Sequence, residues 1–134
     1  ISFFIHSTED EEQLMKLVRD RLGLDPPEIS EEKIIGHFGN EILSVKAHVI
    51  GPRAQSIAGQ ILRQLSSAAR ASIRGEMEKS LDEHDSLYFR LDRQSLHEPL
   101  ISLSDEEPIR IKLKPKSRSG GRKAMKAEYE ELFS

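Results

Sequence analysis

Arg110, Lys112 and Lys114 occupy every second position of a stretch whose intervening residues are Ile109, Ile111 and Leu113. In an extended chain this spacing puts three cations on one face and three aliphatic side chains on the other. The same alternation recurs in Leu87, Phe89 and Leu91, between which stand Tyr88 and Arg90. Cations at two-residue spacing beside an aromatic ring suit one chemistry well. Guanidinium and ammonium groups pair with phosphate oxygens, and a ring offers a surface on which a base can stack. The competing reading is an ordinary solvated sheet face.

The charge does not stop at Lys114. Residues 110–126 hold eight basic side chains and no acidic one, and Lys116, Arg118, Arg122, Lys123 and Lys126 complete the run. Residues 1–109 carry 12 Lys/Arg against 20 Asp/Glu, and the whole chain has a formal net charge of −3. A positive segment on an acidic domain attracts polyanions without indiscriminate adhesion.

Other chemistry finds less support. Cysteine is absent, which excludes disulfides, thiolate nucleophiles and cysteine-ligated metals. The five histidines, His6, His37, His48, His84 and His97, include no i, i+4 pair of the kind used by zinc proteases. His6 and His48 could meet on adjacent strands but lack an evident third ligand. Carboxylates fall at a helix start (Glu9 to Glu12) and in turns (Asp82 to Asp85, Asp105 to Glu107), where solvation is their ordinary role. The stretch from Ser117 to Gly121 is either a hinge or a backbone cradle for phosphate, and it lacks the Gly-Lys-Ser/Thr ending of a P-loop. No cofactor and no metal is expected, and the chain reads as no enzyme.

The elements that must position these groups follow from periodicity. Ser2 to His6 reads as a strand with Ile1, Phe3 and Ile5 on one side. Thr8 and Glu11 have the spacing of a capping box ahead of a helix whose apolar stripe is Leu14, Leu17, Val18 and Leu22, stopped at Gly23. Ile34 to Phe38 and Ile42 to Val49 read as strands about the turn pair Gly39-Asn40. A helix from Gly51-Pro52 carries Ile57, Ile61, Leu62 and Leu65. Ser66-Ser67 breaks it, and Ala69, Ile73 and Met77 continue on a second helix. Ser86 to Asp92 and Ile109 to Lys114 are strands, with a helical turn over Arg93 to Glu98 and a short strand over Leu100 to Leu103 between them. A final helix carries Met125, Tyr129, Leu132 and Phe133.

Without strict strand–helix alternation, this order predicts one α+β domain over residues 1–134, a mostly antiparallel sheet with helices packed on one face. The opposite face would bear His6, Lys46, His48, Tyr88, Arg90, Arg110, Lys112 and Lys114. No apolar run reaches membrane-spanning length and nothing near the start has the form of a signal peptide, so a cytoplasmic protein is expected.

Three segments, Gly36-His37-Phe38-Gly39-Asn40-Glu41-Ile42, Leu87 to Gln94 and Glu107 to Lys114, follow the opening Phe4 to Asp10 in an order that resembles the archaeal predicted RNA-binding proteins described as exosome subunits. The resemblance spans nearly the whole chain. It implies a fold similar to the ribosomal protein that binds 5S ribosomal RNA, and RNA binding without catalysis, in the exosome or in ribosome-related RNA processing. The RNA contacts expected from the charge run and the strand alternation are Arg90, Arg93, Arg110, Lys112, Lys114, Lys116, Arg118, Arg122 and Lys123, with Tyr88 and Phe38 stacking on bases. Partners would be RNA and exosome or ribosomal proteins, with a homodimer compatible with the reading. The alternative is a protein-interaction module whose basic surface docks acidic partner subunits.

Overall fold

The computed structural model describes residues 1–6, 10–115 and 121–134. Five strands, β1 (Ser2–His6), β2 (Ile29–Ile35), β3 (Glu41–Ala47), β4 (Leu87–Leu91) and β5 (Ile109–Leu113), form a single sheet in the order β2-β3-β1-β5-β4. Every neighbouring pair is antiparallel. The helices are α1 (Glu11–Leu22), α2 (Gly51–Gln64), α3 (Ser67–Gly75), α4 (Met77–Ser80) and α5 (Gly121–Leu132). The α+β architecture expected from the sequence is the one found.

One face of the sheet is the floor of the core. Phe3, Ile5, Leu43, Val45, Leu87, Phe89, Leu91, Ile109 and Ile111 are buried on it, and Val18, Leu22, Ile57, Ile61, Ile73, Met77, Tyr129 and Phe133 close over them from the helices. The burial alternates along β4 and β5 in step with the sequence. That alternation turns Tyr88, Arg90, Arg110 and Lys112 to the uncovered side. Among the described residues no helix is long and apolar enough to cross a membrane.

Local chemistry sets the element ends. The Asp10 side chain accepts from Gln13 N–H at 3.1 Å and caps α1; the expected cap, Thr8, lies outside the described residues. Gly23 closes the helix at φ 75°, a left-handed conformation that favours glycine. Ser66 caps α3 by accepting from Ala69 N–H at 3.0 Å. Arg21 ties α1 to the rest, donating to Gln64 Oε1 at 2.6 Å and to the Glu98 carbonyl at 2.6 Å.

Three expectations need correction. β2 spans Ile29–Ile35 rather than Ile34 to Phe38, because this edge strand is exposed on both sides over Ser30 to Lys33 and carries no apolar period to mark its start. Its connection to β3 is a loop closed by Gly36 N–H to the Asn40 carbonyl at 2.7 Å, with Gly39 at φ 78°. Leu100 to Leu103 makes only isolated bridges, Ile101 with Leu65 and Leu103 with Leu91. Leu132 is exposed, since Phe133 fills the end of the α5 stripe.

The Tyr129 hydroxyl donates to the Asp85 carbonyl at 2.9 Å from a buried position. Burial first, and then the Asp85 charge, push its pKa up to about 12. The neutral phenol is favoured in the fold, so this contribution is complete below the unfolded value near 10 and declines as pH rises from there toward 12. Thermal melts should therefore show a falling midpoint across that window. Tyr129→Phe should flatten that part of the profile at a cost near neutral pH of about 1 kcal/mol.

Candidate nucleic-acid interface

β4 and β5 pair so that Arg90 stands opposite Arg110 and Tyr88 opposite Lys112. On the far side of β5, Ser2 of β1 is the partner of Arg110, and Lys46 of β3 is the partner of Ser2. Lys46, Ser2, Arg110 and Arg90 therefore form one row across four strands. Lys114 lies one residue past β5 and is exposed.

Two exposed rings stand among these cations. Phe4, 39% exposed, has the Arg110 guanidinium over its ring at 5.7 Å, and Tyr88, 42% exposed, has the Lys112 ammonium at 5.2 Å. Such contacts hold a long side chain near one position while its charge remains in solvent. Phe4 was not among the expected contacts. The signal was present in the sequence, because burying Phe3 and Ile5 forces Phe4 outward.

Like charges directly opposite on a sheet repel. The Arg90–Arg110 pair is relieved on one side by Asp105, 3.3 Å from Arg90 but 90% exposed, a contact that solvent weakens. Tyr88 donates to Asp82 at 3.1 Å. Backbone bonds, from Ser86 foremost, hold Asp82 below the usual carboxylate range. The Tyr88 hydroxyl and Asp82 hold Lys112 above the ordinary lysine value, so it stays cationic at neutral pH. At the other end of the face His6 lies 3.2 Å from Glu107. On β2, Glu32 points to the same side as Ser44, so the positive field belongs to the β3-β1-β5-β4 part of the face.

The remaining expected contacts lie elsewhere. Arg93 is 6% exposed, donates to the Phe4 carbonyl at 2.8 Å and covers the Phe3 ring at 5.7 Å on the core side. It is packed against the fold rather than set on the open face of the sheet. Arg122 donates to the Asp82 carbonyl at 2.9 Å and pairs with the buried Asp85 at 3.4 Å, which anchors α5. Lys126 pairs with Glu78 at 2.9 Å. Lys123 is exposed on the first turn of α5. Phe38, 92% exposed, sits in the β2–β3 loop edge-on to His37 at 5.1 Å, off the sheet face. Lys116 and Arg118 lie outside the described residues, as does most of the Ser/Gly stretch.

Comparison with known proteins gives the chain a family and a fold. The sequence model of a family described as RNA binding matches residues 1–115. The chain belongs to that family. It is 31% identical over 126 residues to the RNA-binding protein PAB1135 of Pyrococcus abyssi, covering 87% of this chain and 80% of that protein. Among solved structures it resembles AF2318 of Archaeoglobus fulgidus, a DUF54 protein, with a TM-score of 0.79 and 26% identity, covering 98% of this chain and 94% of that one. SSO0741 of Sulfolobus solfataricus shares the fold at a TM-score of 0.77 and 20% identity, covering 98% and 93%.

The division of the arginines has a measurable consequence. Arg93→Ala should destabilise the domain by roughly 2 kcal/mol, because the Phe4 carbonyl loses a buried donor. Arg110→Ala should change stability by less than about 0.5 kcal/mol, with any gain coming from the repulsion it removes. Urea unfolding of the two variants separates the classes; equal losses would contradict the assignment.

Proposed function

We propose that this chain binds RNA through the uncovered face of its sheet and catalyses no reaction there. The observation that carries the reading is the pairing of Arg90 with Arg110 on an open face between two exposed rings. An anion laid across that pair relieves a repulsion that the exposed Asp105 offsets only in part. Phe4 and Tyr88 give bases a surface on either side. An extended, shallow face suits a single strand or loop, whose bases are free to turn toward the protein.

The family supports the same ligand, and its relative from Pyrococcus abyssi bears the name RNA-binding protein. We place the chain in the cytoplasm, as an accessory subunit of the archaeal exosome or of ribosome-related RNA processing. The family resemblance carries that placement, while the geometry carries the RNA contact. The fold kinship with the 5S-binding ribosomal protein belongs to the same proposal.

Five cations serve the face: Lys46, Arg90, Arg110, Lys112 and Lys114. If each meets one phosphate, log affinity for a single-stranded RNA should fall against log salt with a slope of roughly −3.5. Replacing Arg110, Lys112 and Lys114 together by Ala should leave two such contacts and a slope of about −1.4. It should also weaken all sequences alike, since phosphate contacts position rather than specify. Fluorescence anisotropy titrations in rising salt read both quantities, and a slope unchanged by the triple variant would refute the interface.

A further inference from the structure

The outer edge of β4 is closed at its ends and open in its middle. At one end Asp82 N–H donates to the Ser86 carbonyl at 3.0 Å, and Leu81 bridges Leu87. At the other, Ser104 N–H donates to the Arg90 carbonyl at 3.2 Å and Asp92 N–H to the Ser102 carbonyl at 2.8 Å. Peptide groups alternate sides along a strand, so these bonds establish that even-numbered residues of β4 point away from β5. Between the closures the Tyr88 carbonyl and the Arg90 amide point outward, and no hydrogen bond from another described residue meets them. Tyr88 and Arg90 line a groove of about 350 Å³, for which Ile73 of α3, Phe89 and Leu103 supply apolar lining, Lys79 a cation, and Glu76 and Asp105 carboxylates at its exposed rim.

Resting on the RNA-binding reading, we infer that this groove receives one unpaired base of the bound strand, held at its Watson–Crick edge by the Tyr88 carbonyl and the Arg90 amide. An acceptor beside a donor is what that edge complements. Adenine and cytosine present an amino donor next to a ring nitrogen acceptor, and guanine and uracil present a ring N–H next to a carbonyl. All four fit in one of two orientations, so the groove selects unpaired over paired nucleotides rather than one letter. The apolar lining accepts the ring. A partner β-strand is a poorer occupant, because strand addition draws on a run of open backbone groups and the closures leave one acceptor and one donor. Arg90 joins the two regions: its side chain lies on the cationic face and its amide opens into the groove. A backbone drawn across Arg90 and Arg110 therefore passes the mouth of the groove.

The test is an abasic scan. A single-stranded RNA is moved through anisotropy titrations with one base deleted at each position in turn, against the wild-type domain and two variants that fill the groove from its exposed helical wall, Ser72→Trp and Glu76→Trp. In the wild type, deletion at one position should weaken binding roughly tenfold. Variants that melt like the wild type should lose that penalty while keeping its salt slope. If no position matters although binding stays salt-dependent, the groove takes no base and the phosphate-binding face stands without it. A penalty that persists in both filled variants seats the base elsewhere and overturns the groove assignment. Binding with no salt dependence overturns the RNA reading itself.

Discussion

The register between β4 and β5 is the constraint on which the rest depends. Leu87, Phe89 and Leu91 are buried opposite Leu113, Ile111 and Ile109. Because side chains alternate, that packing leaves Tyr88, Arg90, Arg110 and Lys112 no choice of face. A slip of one residue would drive either Arg110 and Lys112 of β5 or Tyr88 and Arg90 of β4 into the core and put that strand's aliphatics in water. Burying unpaired charges costs far more than a two-strand ladder returns. The Leu81–Leu87 and Leu91–Leu103 bridges hold the same register from the free edge. The position of the cations is thus a by-product of the core, and a site fixed this way needs few contacts of its own.

The long basic run divides between two tasks. Its first part stays on the strand face. Its last part is held by partners within the fold: Arg122 meets the carbonyl of Asp82 and the carboxylate of Asp85, and Lys126 meets Glu78. Asp85 is buried with φ at 61°, a backbone conformation that bulky residues resist. The same turn receives the Tyr129 hydroxyl on its backbone. The turn between α4 and β4 therefore works as the seat of α5, and the acidic residues that look like idle surface charge in the sequence are what α5 requires. Phe133 then packs edge-on against Phe89 at 5.7 Å, so seating α5 also supports the core side of β4.

Much of this was legible from periodicity, and the failures have physical causes. β1, β3, β4 and β5 announce themselves because each has one buried face and alternates cleanly. β2 does not, because Ser30 to Lys33 is exposed on both sides, and a strand without a buried face has no period to detect. Charge in the sequence carries sign but not direction. Arg90 and Arg93 are three residues apart and equally basic, yet the strand ends between them and the turn after Leu91 swings Arg93 to the core side. Arg122 and Lys123 are both exposed at the start of α5, and they differ in that Arg122 is held by Asp82 and Asp85. Alternation would have exposed Phe4, since Phe3 and Ile5 cannot both be buried unless Phe4 faces out.

The arginines that face inward and outward also bear on what the domain can bind. A surface built to dock an acidic protein gains most from charges desolvated at the centre of a packed apolar patch. Here the rings are separated by the cations rather than gathered together, and the row from Lys46 to Arg90 runs across the strands instead of around a hydrophobic centre. An acidic protein would have to place carboxylates along that row while leaving Phe4 and Tyr88 unmatched or only partly covered. A nucleic acid strand has the required pattern in every repeat, an anion on one side and a flat ring on the other. The alternation that makes β4 and β5 stable strands thus produces, on the uncovered side, a spacing of cation and ring that matches the chemistry of a polynucleotide better than that of a protein.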